Sequence, residues 1–222
     1  HSEVPAYARK DKFILGHFGS LSSTRTFLPF VHALSLIKQN HPQAYHEQEV
    51  HIYGGNLDQA SIDAANQLGV MEHIVRHGRL ETDPVTGVSG RDQVLMKMRA
   101  CDALALVHGD DPMCAEYIPS KLYEYLWMKR PIIATVHDNP QMAKILKDMG
   151  HFTAETTLKN GYASEEAKEI IVQHLITLWK VWKKFGLNDI NAVTPWTTKK
   201  STLQLHEWSK LLTNTKTQNN TI

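Results

Sequence analysis

Short apolar runs alternate with stretches of helical spacing along most of the chain. FILGHFG (Phe13–Gly19) predicts a strand, the polar SSTRT a loop, and FLPFVHALSLIKQ a helix with Leu28, Val31, Leu34 and Leu36 on its apolar face. EVHIYGG predicts the next strand, ended by Gly54-Gly55, and LDQASIDAANQLG a helix closed by Gly69. HIVRHGRL reads as a strand, and RDQVLMKMRAC as a helix turning Val94, Leu95 and Met98 inward. ALALVHG is apolar at almost every position, as a parallel strand covered on both faces must be. A helix, the strand PIIATV, the helix NPQMAKILKDMG and an edge strand HFTAE complete the series.

Strand and helix taking turns in this way predict an α/β protein, a doubly wound, Rossmann-like parallel sheet with helices on both faces. From Ser164 the rhythm gives way to one long helix, SEEAKEIIVQHLITLWKVWKKFG, whose Ile171, Leu175, Leu178, Trp182 and Phe185 form a single apolar stripe. The stripe is expected to pack against the sheet; docking on a membrane or a partner domain is the alternative. After Gly186 a loop leads to TTKKSTLQLHEWSKLL, a separate amphipathic helix, and to a polar tail. The expected organisation is a lead-in or linker over 1–12, a Rossmann-like ligand-binding domain over 13–185, and a C-terminal loop, helix and tail over 186–222.

Composition narrows the function. The 222 residues carry a formal net charge of +1, which leaves no whole-chain footprint for nucleic acid. No apolar run is long enough to span a bilayer, and no secretory leader pattern opens the chain. Cys101 and Cys114 lie beside apolar runs and read as reduced thiols in the core of a cytoplasmic protein.

Candidate chemistry gathers in MCAEYIPSKLYEYLWMKRPIIA (Met113–Ala134), between two apolar strands. In doubly wound sheets ligands bind outside the carboxyl ends of the strands, where helix N-termini offer unpaired amides. Pro119 or Ser120 opens the helix, so the amides of Ser120, Lys121 and Leu122 face outward with the positive end of its dipole. Lys121 adds a full charge and Ser120 a hydroxyl. Glu124, one turn in, suits the vicinal hydroxyls of a ribose, and Glu116, on the loop, the hydroxyls of a second sugar. A ligand with sugar, phosphates and ribose in line, a nucleotide sugar, fits the set. A solvated helix start with a capping serine would use the same residues.

The order Glu, seven residues, Glu, with Pro119-Ser120-Lys121-Leu122-Tyr123-Glu124-Tyr125 inside it, resembles the donor-binding segment of retaining GT-B glycosyltransferases that build bacterial surface polysaccharides. FILGHFGSLSSTR resembles the first strand and glycine loop of their C-terminal domain, VHIYGGN the next core strand, LGVMEHIVRHGRL the base-binding strand, and MRACDALALVHG the helix and strand before the glutamates. TPWTTKKSTLQLHEWSKLL resembles the terminal helix that crosses back to the N-terminal domain. The resemblance implies that Glu116 holds donor-sugar hydroxyls and Glu124 the ribose. It implies that Pro119, Ser120 and the following amides, with Lys121, hold the diphosphate. Gly19 and Ser20 let the backbone approach that diphosphate, Arg25 neutralises it, and Arg76 and His77 lie at the base. Glu116, Arg25 and Lys121 are then the catalytic candidates. No metal or other cofactor is implied, since fixed cations stabilise the departing nucleoside diphosphate.

The sequence departs from that pattern in two places. Arg25 stands alone where many members carry an arginine and a lysine, and Tyr117-Ile118 replace the usual glycine after the first glutamate. A GT-B enzyme has two Rossmann-like domains, and the resemblance covers only the second. The chain is therefore expected to be the donor-binding half of a hexosyltransferase, acting with an N-terminal acceptor-binding domain outside it and inactive alone. The whole enzyme would move a hexose or hexosamine to a glycan or lipid-linked acceptor, in the cytoplasm at the inner face of a membrane. A sugar-nucleotide epimerase of GT-B-like fold and a non-catalytic nucleotide-binding module are the rivals.

Other signals are set aside. His46 and His51 in HEQEVH are five positions apart, which puts them on different helix faces and argues against zinc. Asp110-Asp111 are expected to serve a turn, His73 and His77 to lie on strand faces, and His17 and His108 to be partly buried rather than ligand-bound. Cys114 reads as a small filler. Neither a dinucleotide fingerprint nor a Walker loop is present.

Overall fold

A computed structural model describes residues 10–156 and 165–186. Its centre is a six-stranded sheet, every pairing parallel, built from β1 (Phe13–Gly19), β2 (Gln48–Gly54), β3 (Ile74–Gly78), β4 (Ala103–Val107), β5 (Ile132–His137) and β6 (Phe152–Thr156). The strand order is β3-β2-β1-β4-β5-β6. The chain thus runs outward from β1 to one edge, returns to β4 beside β1, and runs outward again, so the order reverses between β1 and β4.

Helices α1 (Leu28–Asn40), α2 (Pro42–His46), α3 (Gln59–Gln67), α4 (Gly90–Ala100), α5 (Ser120–Trp127), α6 (Pro140–Asp148) and α7 (Glu165–Phe185) cover the sheet. Alternation within β1 divides the core in two. Phe13 and Leu15 join the cluster formed with α1, α3 and α7, whereas Ile14 and Phe18 join Leu122, Tyr125 and Met142 of α5 and α6. β4 and β5 are buried at every position, as their apolar runs predict. β6 is the edge strand expected for HFTAE.

Local signals set the boundaries. Asp58 caps α3, Ser89 caps α4 and Asn139 caps α6, each accepting a bond from a backbone amide in the first turn. Gly69, at φ +63°, ends the α3 turn in the left-handed conformation that its sequence position foretells.

Several expectations are corrected. On α1 the buried residues are Pro29, Phe30, Val31, Ala33, Leu34, Ser35 and Ile37, while Leu28 and Leu36 are only half-buried. Of the three α4 residues expected to face inward, Met98 is fully buried and Val94 and Leu95 are partly so. His73 sits in a short 3-10 turn, Met71–His73, ahead of β3 rather than on it. The α7 stripe packs into the core through Ile171, Leu175, Leu178 and Trp182, with the Trp182 ring edge-on to Phe13 at 6.1 Å. Phe185, counted in that stripe, is 66% exposed and takes no part. At the other end Lys12 pairs with Glu49 at 2.6 Å, so the last residue of the expected lead-in is tied to β2. The helix expected in TTKKSTLQLHEWSKLL, and the rest of 1–9 and 187–222, lie outside the described residues.

Candidate functional site

A small crevice of about 50 Å³ opens where β1 and β4 end, at the reversal of strand order. His17, Gly19, Ser20, Arg25, Pro119 and Lys121 are among the residues lining it. Three connections bring these together.

The first is the turn after β1. Gly19 has φ +144°, and a Cβ there would stand 3.2 Å from Lys121 Cε. Gly54, at φ +99°, ends the neighbouring strand, and a Cβ on it would come 3.2 Å from the Gly19 amide nitrogen. Both positions therefore favour glycine for conformation, and Gly54 for space as well, since a Cβ there would press on backbone. The turn then closes on itself, since Ser22 and Arg25 exchange two backbone hydrogen bonds of 3.1 Å. Beyond it, buried Asp58 accepts from Thr26 Oγ1 at 2.7 Å, the Phe27 amide at 2.9 Å and Ser61 Oγ at 2.7 Å, which anchors the start of α1.

The second connection joins this turn to the loop after β4. The Asp110 amide donates to the Thr24 carbonyl at 2.9 Å, and Arg25 Nη2 donates to Tyr117 Oη at 3.3 Å. Arg25 is half-buried and lines the crevice. The Tyr117 that replaces the usual glycine therefore supplies a contact. Asp111 caps the 3-10 turn Pro112–Glu116 through the Met113 amide, the capping role foreseen for this pair. Asn139 Nδ2 donates to the carbonyls of Cys114 and Tyr117 at 3.3 and 3.0 Å, fastening the loop to the start of α6.

The third is the first turn of α5. Pro119, with extended backbone (φ −63°, ψ 135°), occupies the cap, and Ser120 is the first helical residue, so the expected capping serine does not cap. The Leu122 amide bonds to the Pro119 carbonyl at 2.9 Å and is not available to a ligand. The amides of Ser120 and Lys121 have no partner among the described residues. Burial holds the Lys121 pKa below its ordinary value, against the raising effect of Glu124, and the charges of Arg91 and Arg25 lower it further. Lys121 is thus a partly desolvated cation that an anion would relieve.

Glu124, one turn on, does not line the crevice; it accepts from Arg91 Nη2 of α4 at 2.9 Å. Glu116 ends the 3-10 turn, exposed and without a hydrogen-bond partner among the described residues. Arg76 and His77 stand on β3, two strands from β1, and are exposed. The His77 ring stacks on Tyr53 at 4.2 Å, Tyr53 stacks on Phe18 at 4.6 Å, and His77 Nε2 lies 3.1 Å from His51 Nδ1. The fold therefore collects Gly19, Ser20, Arg25, Pro119 and Lys121 around one space and leaves Glu116, Ser120, Glu124, Arg76 and His77 outside its lining.

Sequence reasoning missed Arg91, for which its place two residues after a capping serine is the only local hint. It also undervalued the two strand-end histidines. His17 is 2% exposed, and burial lowers its pKa to about 4. His108, 1% exposed, accepts the His137 amide on Nδ1 at 3.2 Å. Its pKa is lowered by burial against the carbonyls of Cys114 and Tyr117.

No protein-family model matches the sequence, and no curated protein matches it. Solved structures do match the fold. The GtfA/B complex shares 13% identity over 94% of this chain and 37% of its own, with a TM-score of 0.60. TarM shares 14% over 94% of this chain and 37% of its own, with a TM-score of 0.51. These neighbours are GT-B glycosyltransferases, and the described residues have the fold of a GT-B C-terminal domain. The chain spans roughly two fifths of the length of the solved structures it matches.

Proposed function

We propose that the chain is the donor-binding half of a glycosyltransferase that moves a hexose or hexosamine from a nucleoside-diphosphate sugar to a glycan or lipid-linked acceptor. One observation carries the reading: Arg25 and the partly desolvated Lys121 share a crevice at the switch point with a glycine turn, at the start of a helix whose first two amides have no partner among the described residues. Such a concentration of donors with so little counter-charge suits a diphosphate.

In this reading the diphosphate lies against Gly19, Ser20 and the amides of Ser120 and Lys121. Arg25 and Lys121 neutralise the charge that grows as the nucleoside diphosphate departs, which is where fixed cations lower a barrier most. Glu124 takes the ribose hydroxyls through the carboxylate oxygen that Arg91 leaves free, and Arg91 sets its direction. Glu116, on the loop tied down by Asn139, takes hydroxyls of the transferred sugar. The base lies by β3 against backbone near Arg76 and His77, because the His77 side chain is already engaged with His51 and Tyr53. A second, acceptor-binding domain supplies the rest of the active site, and the chemistry runs without a metal, with retention.

Calorimetry with UDP, GDP and ADP, free and as their glucose conjugates, tests the proposal. Binding of one nucleotide series, weakened at least tenfold in Lys121→Ala, is the expected result. Failure of all six ligands to bind at millimolar concentration would overturn it.

A further inference from the structure

The wall of the crevice contains two histidines that the diphosphate reading leaves unused, each with a buried Nε2 lacking a partner among the described residues. His108 accepts the His137 amide on Nδ1, so its neutral ring presents Nε2–H as a donor, whereas His17 presents the opposite. His17 Nδ1 lies 3.1 Å from the Ala105 carbonyl on β4, an acceptor only, so in the neutral ring Nδ1 carries the proton and Nε2 keeps its lone pair. That Nε2 is buried and has no hydrogen-bond partner among the described residues. An unsatisfied polar atom in a packed interior is costly, and its persistence beside an open crevice calls for a partner that the chain itself does not supply.

The surroundings decide which kind of partner. Burial is the main force keeping the ring neutral, and the charges of Lys121 and Arg25 act in the same direction. The Ala105 carbonyl and Asp58 oppose them without prevailing, and the Phe27 ring, 5.7 Å away and tilted, is apolar. A bare lone pair repels an ionised phosphate oxygen and accepts a bond from a hydroxyl. His17 is thus the part of the wall that favours O–H, in a lining whose two cations favour O⁻.

We propose that His17 is a specificity-determining residue of the crevice, its Nε2 accepting a hydrogen bond from a hydroxyl of the bound sugar nucleotide. The inference rests on the donor-binding reading above and adds to it a preference for a sugar-substituted diphosphate over the free nucleoside diphosphate, whose terminal phosphate presents a further ionised oxygen. The bond is independent of pH across the range where the ring stays neutral.

The test uses the chain as it stands, with His17→Phe and His17→Gln. Phenylalanine fills the space without an acceptor; glutamine can donate to the Ala105 carbonyl and still offer an oxygen. Calorimetry at pH 6.0 and 8.0 compares whichever of UDP, GDP or ADP binds with its glucose conjugate. The expected result is about tenfold weaker binding of the conjugate by His17→Phe, the value of one hydrogen bond of this kind. The free nucleotide should stay within about twofold, and His17→Gln should recover part of the loss. Equal losses for both ligands, no loss for either, or free-nucleotide binding that strengthens at pH 6.0 and is lost in His17→Phe would each overturn the inference. In any of these cases a large effect of Lys121→Ala leaves the donor-binding reading standing. A wild-type chain that binds no ligand removes both.

Discussion

The crevice at the ends of β1 and β4 and the polar strip on β2 and β3 are made from similar side chains and behave differently. On the strip, Lys12 binds Glu49, Glu49 binds His51 at 3.1 Å, and His51 meets His77, whose ring lies on Tyr53. Each of these groups has a partner on the strip itself. In the crevice, Lys121 is partly desolvated, and among the described residues its amide and the buried Nε2 atoms of His17 and His108 have no hydrogen-bond partner. A concentration of titratable groups is therefore a poor marker of a site. Unused bonding capacity around an open space is a better one, because the interior tolerates such a deficit only at a cost in stability.

Removing both cations should have the largest effect on binding. Arg25→Ala with Lys121→Ala should weaken nucleoside-diphosphate binding by about a hundredfold or more, since charge-assisted bonds contribute roughly 1.5–3 kcal/mol each. Titration calorimetry reads the change, and a loss below fivefold would place the diphosphate elsewhere.

Next in size is the support beneath the crevice. Asp58→Ala leaves the Thr26 hydroxyl, the Phe27 amide and the Ser61 amide and hydroxyl without their shared acceptor. A stability loss of about 3 kcal/mol is expected in urea unfolding, in keeping with a buried cap that also serves a second loop. A change under about 1 kcal/mol would show that the turn after β1 is held in place by packing alone.

Acid should act most strongly on the histidines whose pKa values burial lowers furthest. His17, His137 and His151 have pKa values lowered by burial to about 4, below the 6.5 of the unfolded chain. Their stabilising contribution is therefore complete above pH 6.5 and is lost as pH falls from there to about 4. The urea midpoint should drop over that window, and His151→Phe should make the drop shallower. A midpoint constant from pH 7 to 4.5 would contradict the burial of these rings.

The smallest effects belong to the strip. Glu49→Gln should change stability by no more than about 1 kcal/mol, as half-exposed ion pairs do. His77→Ala should shift nucleotide affinity by less than about threefold if the base rests on backbone. A larger loss in His77→Ala would turn the strip from a closed network into part of the site.

Much of this molecule can be read along the chain. Phe13–Gly19 is a strand because its alternating positions are apolar on both faces, and the β4 run is apolar throughout because helices cover both sides. Serine, asparagine and aspartate mark three helix starts through a side chain that reaches its own first turn, a contact within a few residues. Local chemistry also picked out Lys121, and the resemblance to GT-B donor-binding segments added Gly19 and Arg25. Local chemistry misjudged the opening of α5, where proline rather than serine takes the cap, because both residues suit that turn and only the path of the incoming loop selects between them.

Those features follow from neighbours in sequence, whose energies depend on periodicity and on backbone preference. The site depends on meetings that no spacing encodes. Arg25 reaches Tyr117 across 92 positions, and His17 reaches the Ala105 carbonyl across 88. Arg91 turns to Glu124 from another helix altogether. Whether a histidine ends as a satisfied core residue or an open acceptor is settled by which strand lies beside it, and strand order is a property of the folded sheet. The sequence determined the elements and most of the charged residues; the tertiary structure decided which of their bonds were left over for a ligand.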